Sequence, residues 1–83
     1  STLLEAFADR TYNSDGTLRN RKFPDALIID PKQAANQAYA ISKGYVESYE
    51  NKIVNIEADT ICIHSDTPNA VAIARAVKQK MHQ

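Results

Sequence analysis

Only eighteen of the eighty-three residues are Leu, Ile, Val or Phe, while twelve are Ala, so the chain must build its core largely from small side chains. That fraction lies close to the level at which chains stop folding, but disorder also requires a high net charge. Here ten Lys and Arg balance ten Asp and Glu. The expectation is one folded, thinly cored segment. A chain this short buries only about 60–65% of the surface its unfolded form exposes. Its one cysteine, Cys62, cannot form the internal disulfide that staples many small secreted folds. No apolar run approaches a membrane span, and no N-terminal stretch has the form of a secretory signal. Balanced charge argues against nucleic acid or anionic lipid as a partner. The chain starts at Ser1, as it would after removal of an initiating Met or after excision from a longer polypeptide. The cytoplasm is the expected location.

The order of elements reads β-loop-β-α-β-β-α, an α/β pattern. Thr2 to Phe7 is a short apolar segment, followed by a polar stretch in which Asn13-Ser14-Asp15-Gly16 marks a turn. Ala26 to Ile29 is a second apolar run. Asp30-Pro31 then opens a helix, with Asp as N-cap and Pro at the first helical position. That helix is predicted over 31–43 and stops at Gly44. Ala34, Ala38, Ile41 and Tyr45 recur at helical spacing. Tyr45 to Tyr49 and Ile53 to Ile56 flank Glu50-Asn51-Lys52 as a hairpin. Thr60 to His64, apolar on both faces, fits a strand within a parallel sheet. Thr67-Pro68 repeats the helix-start signal, and Ala70, Ile73, Ala74, Val77 and Met81 form the core stripe of a helix over 68–82. Two helices cannot cover both faces of several strands, so the chain reads as a segment of a larger layered domain.

Two clusters carry candidate chemistry. His64 and Asp66 alternate onto one side of an extended segment, with Ser65 opposite, at the carboxyl end of a strand where α/β proteins place ligands. Such a pair serves as two metal ligands, as a base with its orienting partner, or merely as a cap for loop backbone. Adjacent residues on one strand diverge, which rules against a nucleophilic triad with Ser65. Glu5, Asp9 and Arg10 form the second cluster. If the first strand runs parallel to the Cys62 strand, it shares a rim with His64 and Asp66, and Arg10 is suited to a carboxylate or phosphate. The bland alternative is an Asp9–Arg10 pair on the surface. Arg19, Arg21 and Lys22 beside Phe23 suggest a solvated loop or an anion-binding lid. Cys62, between two isoleucines, reads as a packed core thiol. Tyr12, Tyr45 and Tyr49 read as amphipathic surface anchors. With Gly16 and Gly44 the only glycines, the chain has no glycine-rich phosphate loop.

Taken together, Glu5-Ala6-Phe7-Ala8-Asp9-Arg10-Thr11-Tyr12, Asp15-Gly16-Thr17-Leu18 with Arg21, Gln37, and the run from Ala58 to Pro68 continuing through Ala70, Ala74 and Arg75 resemble the C-terminal part of the LamB/YcsF family, the family of the 5-oxoprolinase A subunit. The resemblance covers nearly the whole chain. It implies the end of a distorted (β/α) barrel and an ATP-dependent opening of 5-oxo-L-proline to L-glutamate, with ATP and Mg as cofactors and the B and C subunits as partners. It places Glu5, Asp9, His64 and Asp66 as catalytic candidates at the rim of the site. Arg10, Arg21 and Tyr12 become candidates for binding substrate or phosphate, with no metal ligand assigned. Two positions depart from the family pattern: Ser65 where Gly is expected, and Asp25 in place of Gly in Pro24-Asp25-Ala26. Ser at a positive-φ position would add strain and shift Asp66. A barrel of this kind takes about 250 residues, so the site must be completed by an N-terminal complement or by another copy of the chain. The competing readings are a non-catalytic module that self-associates as a homo-oligomer, and a metal hydrolase that takes Glu5 or Asp9 as a third ligand.

Overall fold

The structure, a computed structural model, describes residues 5–63 and 69–81. Its elements are β1 (Glu5–Phe7), α1 (Pro31–Ser42), β2 (Tyr45–Glu47), β3 (Ile53–Asn55), β4 (Thr60–Cys62) and α2 (Ala70–Met81). β1 pairs parallel with β4, Glu5 opposite Thr60 and Phe7 opposite Cys62. β2 pairs antiparallel with β3 around Val46 and Val54. Among the described residues these make two separate two-stranded sheets.

Helix α1 follows its sequence signals. The Asp30 carboxylate accepts the Lys32 N–H at 3.1 Å, and Pro31 opens the first turn. Ala34, Ala35, Ala38, Ala40 and Ile41 are buried. At its end Gly44 takes φ +95°, a conformation that costs a side-chain-bearing residue about 1 kcal/mol or more. Its N–H closes on the Ile41 carbonyl at 3.0 Å. Gly44 thereby turns Tyr45 out of the helical stripe that its spacing suggested and into β2. In the hairpin, the Ser48 hydroxyl accepts the Lys52 N–H at 3.2 Å, and Asn51 adopts φ 62°.

The alanines of α1 allow α2 to lie close against it. Ile28, Ala34 and Ile73 form one core cluster, with Ile63 and Val77 beside it. Complete burial of a side chain such as Ile73 stabilises the fold by about 1.5–3 kcal/mol. A second cluster joins Ala6, Tyr12, Ile41 and Val46 across β1, α1 and β2. No helix among the described residues is long and apolar enough to cross a membrane.

Four expectations need correction. Ala26 to Ile29 forms no strand: Leu27 makes an isolated bridge to Arg10, because the facing segment turns away after one residue pair. The order is β-α-β-β-β-α: it lacks the expected second strand and has three strands, not two, between the helices. Tyr12 is no surface anchor but a core residue, 5% exposed. The stripe of α2 is narrower than its spacing suggested, since Ala74 and Met81 are exposed while Ile73 is buried. Cys62 is half-buried rather than core. The proposed helix start at Pro68 lies outside the described residues.

Candidate functional site: the turn that ends β1

Parallel pairing puts the carboxyl ends of β1 and β4 side by side, and the Ala8 N–H extends the ladder by one bond to the Cys62 carbonyl at 3.0 Å. The chain then turns through Asp9 and Arg10 with its backbone tied down on several sides. The Ile28 N–H donates to the Asp9 carbonyl at 2.9 Å, and the Thr11 N–H to the Ala26 carbonyl at 2.9 Å. From α1, the Gln37 side-chain amide donates to the Phe7 carbonyl at 2.8 Å and to the Arg10 carbonyl at 2.6 Å. The Tyr12 hydroxyl accepts the Phe7 N–H at 3.0 Å.

This clamped turn buries charge. Asp9 is 0% exposed and Arg10 8%, so the surface-pair alternative does not hold. One Arg10 Nη donates to the Arg19 carbonyl at 3.3 Å, whereas its buried Nε has no hydrogen-bond partner among the described residues. A buried guanidinium donor without an acceptor is costly, because the donor gives up its water and gains no replacement. Burial pushes the Tyr12 hydroxyl above its ordinary pKa, partly opposed by the bond from Phe7 and by the Arg10 charge. Tyr12 is therefore a neutral post that holds the turn. The Cys62 thiol is likewise raised, first by burial and then by the charges of Glu5 and Asp9. At neutral pH it stays a thiol, which removes it as a nucleophile. Glu5 itself is exposed at the start of β1, so one carboxylate near this thiol is wet and the other is dry.

Arg21 is not part of this constellation; it is exposed in the loop that follows Asn20. The nearby Arg19 is consumed structurally. Its guanidinium meets Asp25 at 2.6 Å and lies 4.2 Å from the Phe23 ring centroid and 3.9 Å from that of Tyr49. The Asp25 bond foremost raises its pKa. His64 and Asp66 lie outside the described residues; in sequence His64 comes after Ile63, which follows β4. Among the described residues no three His, Cys, Asp or Glu side chains stand together to hold a metal ion.

Gln37 is the residue that the sequence pattern did not assign. It stands three residues after Ala34 and four before Ile41, a polar residue inside an apolar stripe, and that misfit was its signal. It also lines a groove of about 550 Å³ along α1, of mixed polarity, together with Thr11, Asp25, Leu27, Ile28 and Tyr49.

A parallel strand pair, a hairpin and two packed helices, with buried charge after β1, make the chain a mixed α/β segment. More particularly, it matches the LamB/YcsF family over residues 1–83 and belongs to that family. It is similar to the 5-oxoprolinase A subunit of Chloroflexus aurantiacus, 53% identical over 93% of this chain and 31% of the relative. That of Heliobacterium modesticaldum is 46% identical over 93% of this chain and 31% of the relative. The crystal structure of the lactam utilization protein from Thermus thermophilus matches with a TM-score of 0.87 and 41% identity, over 98% of this chain and 32% of that one. The chain thus spans about a third of the length of the relatives it matches.

Proposed function

We propose that this segment forms the C-terminal part of a 5-oxoprolinase A subunit and lines the site in which 5-oxo-L-proline is opened to L-glutamate at the expense of ATP, with the B and C subunits as partners. The observation that carries the reading is the buried Asp9–Arg10 turn, whose Arg10 Nε lacks an acceptor among the described residues. An anion would supply that acceptor, and both the carboxylate of 5-oxoproline and a phosphoryl group are anions of suitable chemistry.

A lactam is a poor electrophile. ATP would supply phosphoryl activation of its carbonyl oxygen; one water then adds to the carbon and the C–N bond breaks to free the amine, and a second water cleaves the resulting acyl phosphate to carboxylate and phosphate. In this scheme Arg10 holds the anionic group and its positive charge opposes the negative charge that builds on the oxygen. Asp9, with His64 and Asp66 beyond β4, positions water and moves protons between water and the departing ring nitrogen. Tyr12 and Gln37 bear on the backbone of the turn, and Glu5 stands exposed at the start of the strand that leads into it. The site is completed by the remaining two thirds of the domain, which closes the barrel.

The experiment grafts this segment into the frame of the Chloroflexus aurantiacus relative and measures ATP-dependent glutamate release with the B and C subunits. Asp9→Asn and His64→Ala are expected to lower the rate at least about 100-fold. Unchanged rates in both variants would remove the proposed roles.

A second reading has its own observation. Val71 is 70% exposed, Ile53 64% and Ile29 50%, apolar area that another copy of the chain would cover as well as a barrel would. A monodisperse monomer in light scattering would eliminate it.

A further inference from the structure

We infer that Gln37 is the positioning residue of the site: its side-chain amide spans the carbonyls on either side of Ala8 and Asp9 and so fixes where Asp9 and Arg10 stand. The inference rests on the function proposed above and extends it to a residue on a different element.

A sharp turn after a strand leaves carbonyls that no ladder partner can reach, and buried carbonyls need donors. Phe7 and Arg10 are the two residues that bracket the Ala8–Asp9 step. A primary amide offers two N–H groups on one nitrogen, and Gln37 places that nitrogen 2.8 Å from the Phe7 oxygen and 2.6 Å from the Arg10 oxygen. The bonds cross 30 and 27 residues of sequence, so they tie the turn to the body of α1 rather than to its own neighbours. In addition, Tyr12 accepts the Phe7 N–H, and the Asp9 carbonyl accepts from Ile28. The turn is held from both ends and its middle, which sets the backbone from which the Asp9 and Arg10 side chains start. Catalytic groups held within a few tenths of an ångström gain most of their advantage from such a supporting shell. Gln37 also lines the groove along α1, so a ligand entering there meets the same residue that sets the turn.

Glu at this position keeps the shape and removes both donors, setting an acceptor against two carbonyl oxygens; Met removes the donors without adding charge. In the grafted enzyme with the B and C subunits, Gln37→Met is expected to lower kcat about 10- to 100-fold and Gln37→Glu further. The melting temperature should fall by only a few degrees in each, and the KM for ATP should stay within about twofold. The KM for 5-oxoproline should rise in parallel with that of Arg10→Lys, a pattern that a merely structural role would not produce. Wild-type kinetics in both Gln37 variants, alongside an inactive Asp9→Asn, would overturn the positioning role and leave the function standing. Full activity in Asp9→Asn and Arg10→Lys as well would instead overturn the function. Loss of folding in both Gln37 variants would make it a core residue and overturn the inference too.

Discussion

Two arginines nine residues apart meet opposite fates. Arg19 is half-buried, with its guanidinium matched at once by a carboxylate and two aromatic faces. Arg10 is buried beside a buried aspartate, with one donor lacking an acceptor among the described residues. A cation whose needs are met locally has been used to hold a loop. A cation buried with a donor to spare is, on the function proposed above, held for an arriving anion. On the function proposed above the turn after β1 is the site, whereas the Arg19–Phe23–Tyr49 stack clasps the 19–25 loop to the β2–β3 hairpin.

The contrast predicts separable losses. The largest belongs to the turn: Asp9→Asn should lower activity at least about 100-fold while the melting temperature stays nearly constant. Next, Tyr12→Phe removes the acceptor of the Phe7 N–H at 3.0 Å and should destabilise the fold by about 1–2 kcal/mol, or roughly 4–16 °C in a melt of a chain this small. A melt that matches wild type would show that the turn does not depend on this bond. In the clasp, Arg19→Ala gives up stacking and an ion pair whose carboxylate side is 58% exposed, and should lower the melting temperature slightly with activity retained. Loss of activity there would erase the distinction between the two arginines.

The smallest effect is one of pH. Burial raises the Cys62 pKa in the folded state, so folding favours the protonated thiol. The associated stability is fully present below the unfolded value near about 8.5 and is lost as pH rises through the folded value. Cys62→Ser should therefore flatten the alkaline limb of a stability profile, and alkylation of Cys62 at about pH 8 should be slower than that of a free cysteine. Rapid alkylation would show that the thiol is neither buried nor flanked by the two carboxylates.

What could be read from the sequence was local. Asp30-Pro31, Gly44 and the turn at Glu50-Asn51-Lys52 each solve a backbone problem within a few residues, and each produces the element expected of it. Parallel pairing of β1 with the Cys62 strand was only a condition in the sequence; the structure meets it, and Asp9 and Arg10 follow on the end of β1. Properties decided by distant partners were not legible. Ala26 to Ile29 has the composition of a strand, but its neighbour bends away after the Arg10–Leu27 bridge. Tyr12 sits among polar residues in sequence and enters the core because Ala6, Ile41 and Val46 converge there from three elements. Gln37 carries part of the family resemblance and shows as a polar misfit, but its partners, carbonyls 30 and 27 residues away, emerge only in the fold.

The comparison between the two arginines is tested most directly by the same conservative change at each. In the grafted enzyme with the B and C subunits, Arg10→Lys and Arg19→Lys are assayed for kcat/KM on 5-oxo-L-proline and for melting temperature. Lysine keeps the charge but loses the planar fork and its Nε donor. Arg10→Lys is expected to lose at least about tenfold in kcat/KM with little change in melting, while Arg19→Lys melts a few degrees lower with activity intact. Full activity in Arg10→Lys, or a loss of activity confined to Arg19→Lys, would contradict the assignment of the site to the turn after β1.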